Sequence, residues 1–157
     1  MIRTIVVAVD GSPSSEAAFD RACEIAGAFQ AKLIVLTVAP VQTYFPPGKG
    51  PAHVSDHEIA TYRRIAARAA EKARSQGIAI VEAVNLEGFV VDSILGYVER
   101  SPPDLLVVGA RGLSGARRMF LGGVSTSLVG HVACPVLIVP EPVEPADATG
   151  SPPEPAP

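Results

Sequence analysis

Glycines in the last third of the chain are spaced as in a loop that binds phosphate. Two residues separate Gly109 from Gly112, and nine separate Gly112 from the pair Gly122–Gly123. Glycine lets backbone N–H groups approach a ligand closely, and the start of a helix attracts anions. Arg111 lies between the first two glycines, and no acidic residue interrupts this stretch. The segment therefore predicts a phosphate site.

The spacing excludes the two commonest nucleotide-binding motifs. A P-loop ends in Gly-Lys followed by Ser or Thr, and the chain has no such sequence. The dinucleotide fingerprint requires one residue between its first two glycines, whereas two separate Gly109 from Gly112. We find no positioned base for attack on a phosphate, so binding without fast hydrolysis is the better interpretation.

Five predicted strands alternate with four predicted helices along residues 1–140. Apolar, β-branched runs predict strands over 2–9, 32–38, 78–84, 104–108 and 135–139. Helical spacing and capping signals predict helices over 13–29, from the Ser55 capping box to about 75, over 90–100, and from 123 or 124 to 133, with a loop over 85–89. Near-continuous apolar strands separated by helices imply a three-layer α/β fold, a parallel sheet with helices on both faces.

The predicted site lies where two strands end. In open α/β sheets, ligands bind beyond the carboxyl ends of strands, where the strand order reverses. Asp10 follows the first strand and Gly109 follows the fourth, and in the order 3-2-1-4-5 both face one crevice. A carboxylate opposite a phosphate loop suits a ribose hydroxyl or an adenine amino group, so the ligand is predicted to be a nucleotide. Alternatively, Asp10 is a turn residue that bonds its own backbone.

Composition narrows the class of protein. The chain has 157 residues and is 48% hydrophobic, which predicts a single domain that spans residues 1–140. The remaining segment, 141–157, holds six of the 15 prolines and four acidic residues, and we expect a disordered tail there. Without it the charge is near neutral, which argues against nucleic-acid binding. No run of apolar residues is long enough to span a membrane, and the sequence does not open with a signal peptide. The two cysteines do not suggest a disulfide framework. A cytoplasmic location is therefore expected.

The glycine spacing resembles a known signature. The pattern Gly109-x2-Gly112-x9-Gly122 is similar to that of universal stress proteins, G-x2-G-x9-G followed by Ser or Thr. The resemblance covers nearly all of residues 2–140 and includes TIVVAVDGSPSSEAAFDRA, DLLVVGARG and VSTSLVGHVACPVLIVP. It implies a five-stranded parallel sheet of order 3-2-1-4-5, of the adenine nucleotide alpha hydrolase-like type. It further implies a stress-response protein that binds ATP, ADP or AMP as a regulatory ligand, with Mg²⁺ carried on the phosphates.

The resemblance also assigns residues. It places Asp10 on the nucleoside, and it places Val38 in the adenine pocket with Ala8 and Val9 nearby. Glycines shape the phosphate loop, and the start of the fourth helix reaches the phosphate oxygens through backbone and hydroxyl donors. The whole predicted nucleotide site is Ala8, Val9, Asp10, Val38, Val108, Gly109, Arg111, Gly112, Gly122, Gly123, Val124 and Ser125. No catalytic residue or metal ligand is assigned, since His53 precedes a helix cap and does not share a helical face with His57.

One position departs from the family pattern. Gly123 stands where the signature has Ser or Thr, so a hydroxyl donor is missing. A hydrogen bond to a charged group is worth about 1.5–3 kcal/mol, and its loss is expected to lower affinity about tenfold or more. Ser125 and Thr126 are the candidates to replace it, although Ser125 is also a candidate helix cap. Two alternatives stay open: a nucleotide-free dimeric interaction module of the same fold, and a slow ATP hydrolase.

The last strand predicts a partner. Val136–Val139 is apolar on both faces and would form an edge of the sheet, where exposed backbone invites pairing. Members of the family commonly dimerise through this strand, so the resemblance implies a homodimer. Pro135 and Pro140 would limit the pairing to a few residues. Neither a nucleic acid nor a membrane is expected as a partner.

Overall fold

The computed structural model describes residues 1–41, 53–112 and 122–142. Strands and helices alternate through these residues, as the apolar pattern predicts. The strands are β1 (Thr4–Ala8), β2 (Lys32–Pro40), β3 (Val81–Gly88), β4 (Leu105–Gly109) and β5 (Val136–Val139). The helices are α1 (Pro13–Phe29), α2 (Asp56–Ser75), α3 (Val90–Arg100) and α4 (Gly123–His131).

The five strands form one parallel sheet in the order β3-β2-β1-β4-β5. The predicted strand order and fold class are therefore confirmed. β1 lies at the centre of the sheet, and its residues Ile5, Val6 and Val7 are completely buried. Strand order reverses between β1 and β4, which places a topological switch point beside the central strand.

Helices cover both faces of the sheet, because successive strand residues point to opposite sides. Ile5 and Val7 belong to an apolar cluster that includes Phe19 of α1 and Ala73 of α2. Val6, between them, belongs to a second cluster on the opposite face. That second cluster includes Ile94 and Val98 of α3 and Leu128 of α4. The molecule therefore has three layers, with α1 and α2 on one face and α3 and α4 on the other.

The first helix begins as the sequence predicts. Ser12 is the N-cap, its hydroxyl oxygen accepts a hydrogen bond from the N–H of Ser15 at 3.2 Å, and Pro13 follows at the first helical position. Gly11 before it has a φ of +82°, a conformation that favours glycine in the tight turn from β1. The predicted capping box of Ser55 and Glu58 also forms at the start of α2.

The predicted bounds of the third strand are wrong. β3 runs over Val81–Gly88, so residues 85–88 belong to the strand and not to a loop. Ile78 instead follows the end of α2: its N–H donates to the carbonyl of Ala73 at 3.2 Å, and its side chain is buried in the core. The polar residues of 85–88 predicted a loop, but β3 is an edge strand and tolerates them. The side chain of Asn85, for example, accepts a hydrogen bond from the Thr37 hydroxyl at 2.9 Å.

Other bounds differ by one or two residues. β1 is shorter than predicted at both ends, β2 continues to Pro40, and α4 ends at His131. Among the described residues, none of the helices combines the length and apolar character needed to cross a membrane. The predicted disorder of the tail concerns residues that, from 143 onward, lie outside the described part of the chain.

Candidate functional site

A cavity of about 490 Å³ lies at the carboxyl ends of β1, β2 and β4. This volume is within the usual range of small-molecule sites. All twelve residues of the predicted nucleotide site line this one cavity. The parallel pairing of β1 with β4 brings them together, because Asp10 and Gly109 then lie beyond neighbouring strand ends.

Buried apolar residues at the strand ends form one part of the cavity wall. Val9, Val38 and Val108 line it and are at most 6% exposed, and Ala8 is half-buried beside them. Their order follows the sheet: Val9 extends β1, Val38 lies in β2 and Val108 lies in β4. The N–H of Val9 donates to the carbonyl of Leu36 at 2.9 Å, which holds the end of β1 against β2. This wall suits a flat apolar group such as a base.

Sequence reasoning missed six residues that also line the cavity. These are Ser15, Leu36, Pro40, Tyr62, Val90 and Ile94. Leu36 and Pro40 carried a usable signal, since they lie two residues either side of Val38 and share its face of the strand. Val90 and Ile94 are four apart on α3 and share a helical face in the same way. Tyr62 had no such signal, because its place depends on how α2 packs on the sheet.

Asp10 makes the local turn contact considered for it and also lies where its predicted contact with a nucleoside would be. Its Oδ1 accepts from the N–H of Ser12 at 2.9 Å, which is the local turn contact. The same carboxylate lines the cavity and lies against Gly112: a Cβ on Gly112 would be 2.9 Å from Asp10 Oδ2. The Ser15 hydroxyl oxygen accepts from the Asp10 N–H at 3.3 Å. The carboxylate is therefore held in place at the edge of the cavity.

Tyr62 brings a phenol to the same part of the cavity. Burial raises the pKa of its hydroxyl, and the nearby carboxylates of Asp10 and Glu58 raise it further. The phenol therefore stays protonated at neutral pH and remains a hydrogen-bond donor. A donor and a carboxylate in one place suit the hydroxyl groups of a sugar.

The start of α4 presents backbone donors to the cavity. Gly122 is the N-cap and makes no side-chain capping bond, and the first turn has no acidic residue. The N–H groups of Gly123, Val124 and Ser125 precede the first hydrogen bond of the helix, in which Thr126 N–H donates to the Gly122 carbonyl at 3.1 Å. This arrangement favours an anion.

The hydroxyl groups of α4 are directed at backbone carbonyls. Ser125 Oγ lies 3.0 Å from the carbonyl oxygen of Ala110 and 3.1 Å from that of Gly122, and donates its one proton to either. Thr126 Oγ1 donates to the Gly122 carbonyl at 2.9 Å. Gly122, and not Ser125, is therefore the helix cap, and the two hydroxyls that are candidates to replace the one absent at Gly123 are engaged with backbone carbonyls.

Arg111 supplies positive charge. It is the cationic residue among the described residues that line the cavity, and its guanidinium pairs with Glu141, with 3.3 Å between Nη2 and Oε2. Arg117 and Arg118, which belong to the same sequence segment, lie outside the described residues.

The fold and site define an open α/β protein with a ligand-sized cavity at its switch point. The sequence profile described as the universal stress protein family matches residues 1–140. A universal stress protein of Bacillus subtilis is 34% identical over 148 residues, covering 88% of this chain and 99% of that protein. The chain therefore belongs to the universal stress protein family.

Solved structures agree with this assignment. The universal stress protein UspA from Lactobacillus plantarum has a TM-score of 0.80 at 27% identity, covering 88% of this chain and 97% of that one. A universal stress protein in complex with cAMP has a TM-score of 0.69 at 33% identity, covering 90% of this chain and 99% of that one. A universal stress protein family protein from Arabidopsis thaliana with AMP bound has a TM-score of 0.63 at 27% identity. The match covers 95% of this chain and 96% of that one.

Proposed function

We propose that this chain binds an adenine nucleotide in the cavity at the carboxyl ends of β1, β2 and β4. One observation carries the proposal: twelve residues chosen from the sequence for this role line a single cavity. Structures of relatives that hold cAMP or AMP support an adenine nucleotide as the ligand. In this proposal the nucleotide is a regulatory ligand, and the protein acts in a cytoplasmic stress response.

In this proposal, each part of the cavity binds a different part of the nucleotide. The apolar wall of Val9, Val38 and Val108 takes the base, where burial of apolar surface contributes about 25 cal/mol per Å². Asp10 and Tyr62 take the ribose hydroxyls. The N–H groups at the start of α4 and the guanidinium of Arg111 bind the phosphates, because together they offer only donors and positive charge.

Analysis of what the purified protein carries identifies the ligand without assuming which nucleotide it is. Protein purified without added nucleotide is denatured, and released nucleotides are identified by mass spectrometry. Calorimetric titrations with ATP, ADP, AMP and cAMP, each with and without Mg²⁺, then rank the ligands. We expect an adenine nucleotide to bind, Mg²⁺ to matter only for ligands with several phosphates, and any ATP hydrolysis to be slow. Absence of released nucleotide, together with no heat at millimolar concentrations, would refute the proposal.

Specific features favour a second candidate, a nucleotide-free interaction module. Gly123 offers no hydroxyl, and the hydroxyls of Ser125 and Thr126 are directed at backbone carbonyls. Glu141 already pairs with Arg111. The same titrations distinguish the two candidates, because this one predicts no nucleotide binding.

We also propose a homodimer formed through β5. This strand is an edge of the sheet, and all four of its residues are only partly buried. Within the described part of the chain no strand pairs with the outer side of β5, and an apolar edge strand of this kind is suited to pairing with a second copy. The proposal does not depend on a bound nucleotide.

A further inference from the structure

Arg111 connects the cavity with the segment that follows β5, because it lines the cavity and its guanidinium pairs with Glu141. Arg111 lines the cavity, whereas its partner Glu141 does not. The distance between Nη2 and Oε2 is 3.3 Å, and the side chains are 30% and 43% exposed. A carboxylate from outside the cavity therefore neutralises the positive charge that the described lining residues supply.

The backbone around this ion pair is fixed by a small network. The carbonyl of Val139 accepts from the N–H of Ala110 at 2.8 Å and from the hydroxyl of Ser14 at 3.1 Å. The Ser14 hydroxyl oxygen in turn accepts from the N–H of Arg111 at 3.2 Å. Ser14 is buried, so this junction is shielded from water. The end of β5 thus delivers Glu141 to the side of Arg111.

We propose that Glu141 is a built-in competitor of the ligand phosphate for Arg111. Carboxylate and phosphate oxygens accept from the same guanidinium donors, so a phosphate that binds Arg111 through Nη2 displaces Glu141 from that nitrogen. The consequence is a lower affinity for phosphorylated ligands and a higher ligand concentration at which the site fills. This inference rests on the proposed nucleotide function and adds regulation to that same site.

The expected size of the effect follows from the exposure of the pair. Ion pairs in contact with solvent contribute little, and removal of the competing carboxylate is expected to tighten binding by about two- to fivefold. Glu141→Gln is the suitable variant, because it removes the charge and keeps the shape of the side chain. Added salt should shrink the difference, since exposed charges are screened.

Calorimetric titration with AMP tests the competition in a double-mutant cycle. The proteins are the wild type, Glu141→Gln, Arg111→Gln and the double variant. We expect Glu141→Gln to tighten AMP binding, Arg111→Gln to weaken it, and Glu141→Gln to have no effect in the Arg111→Gln background. Glu82→Gln is the matched control, because Glu82 is also a partly exposed carboxylate paired with a cation, Lys32 at the first position of β2.

The outcomes separate this inference from the proposed function. If the wild type binds AMP and Glu141→Gln binds it no more tightly, the competition is refuted while the nucleotide function stands. An equal gain from Glu82→Gln, or a gain that survives in the Arg111→Gln background, would show that the gain comes from the change in net charge. Either result would also refute the competition for Arg111. If no variant binds AMP or ATP, the proposed function fails and the competition fails with it.

Discussion

Gly109 is a glycine because α1 packs against it. A Cβ at this position would lie 2.7 Å from the backbone carbon of Ser14 and 2.8 Å from the backbone nitrogen of Ser15. Both atoms belong to the first turn of a helix and cannot move independently of it. The first glycine of the signature thus allows α1 to pack closely on β4.

Gly109→Ala is expected to destabilise the fold. The new methyl group overlaps backbone atoms, and overpacking of this kind typically costs about 1–3 kcal/mol. Urea unfolding followed by circular dichroism gives the change in the free energy of unfolding. Gly130→Ala is the control, because a Cβ there meets nothing within 4 Å. Equal stability of Gly109→Ala and the wild type would show that α1 does not constrain this position.

Gly123 is the opposite case, since a Cβ there meets nothing within 4 Å. Gly123→Ser restores the hydroxyl of the family pattern at the first position of α4. We expect nucleotide affinity to rise about tenfold or more, because a hydrogen bond to a charged group is worth about 1.5–3 kcal/mol. Calorimetric titration with AMP and ATP measures the change.

Gly130→Ser is the matched control for that variant. It makes the same substitution in the same helix, also where a Cβ meets nothing within 4 Å, but at a residue that does not line the cavity. Any general benefit of replacing glycine in α4 should therefore appear in both variants. Weaker binding by Gly123→Ser would mean that the bare backbone at this position matters more than the missing hydroxyl.

At the scale of elements, Asp104 ties the beginnings of two strands together. Its Oδ2 accepts from the N–H of Arg3 at 2.7 Å and from the N–H of Thr4 at 2.9 Å. The Asp104 N–H returns a bond to the carbonyl of Thr4 at 2.9 Å. These contacts hold β1 and β4 in register at the amino end of the sheet, so that their carboxyl ends meet at the cavity.

The stabilisation by Asp104 depends on pH. The hydrogen bonds from the Arg3 and Thr4 backbone lower the pKa of its carboxyl. A carboxyl with a lowered pKa in the folded state stabilises fully above its ordinary pKa of about 3.9, and the contribution is lost as pH falls through the lower folded value. Asp104→Asn should therefore be less stable than the wild type at pH 7, with the difference vanishing at strongly acidic pH. Urea unfolding at several pH values measures this.

Glu99→Gln is the control for that series, because Glu99 is an exposed carboxylate at the end of the neighbouring helix α3. It should leave the pH dependence almost unchanged. A constant difference between Asp104→Asn and the wild type at every pH would mean that geometry, and not the charge of Asp104, provides the stabilisation.

The sequence predicted those elements whose signals are local. α1 has its cap at Ser12 and its proline at the first position, and α2 has its capping box, so both helices begin where predicted. The predicted bounds of β3 were wrong because an edge strand tolerates polar residues, and because the apolar Ile78 was included in the predicted strand. That isoleucine is apolar because its side chain is buried in the cluster between α1, α2 and the sheet, a tertiary contact that periodicity does not report.

At the scale of the whole molecule, the site was predictable because parallel topology brings strand ends together. Asp10 and Gly109 follow their strands directly, so strand order alone places them in one crevice. Tyr62 was not predictable, because its position depends on how α2 packs against the sheet. Glu141 was not predictable either: its pairing with Arg111 depends on where β5 ends beside β4.

The proposed homodimer makes its own prediction, because backbone groups of β5 alternate in direction. The carbonyls of Pro135 and Val139 accept from Leu106 and Ala110, so their side of the strand faces β4. By alternation, the N–H and carbonyl of Ile138 face the open edge. Ile138→Pro removes one outward donor while leaving the bonds to β4 intact, which is where proline is tolerated in a sheet.

We expect Ile138→Pro to shift the mass measured by light scattering from dimer toward monomer. Because Ile138 also packs against the apolar cluster beneath α3 and α4, the variant loses side-chain contacts as well. Ile138→Ala separates the two effects, since it loses the same contacts but keeps the outward N–H. A dimeric alanine variant and a monomeric, folded proline variant would therefore place the interface at the β5 backbone, whereas a dimeric proline variant would place it elsewhere on the molecule.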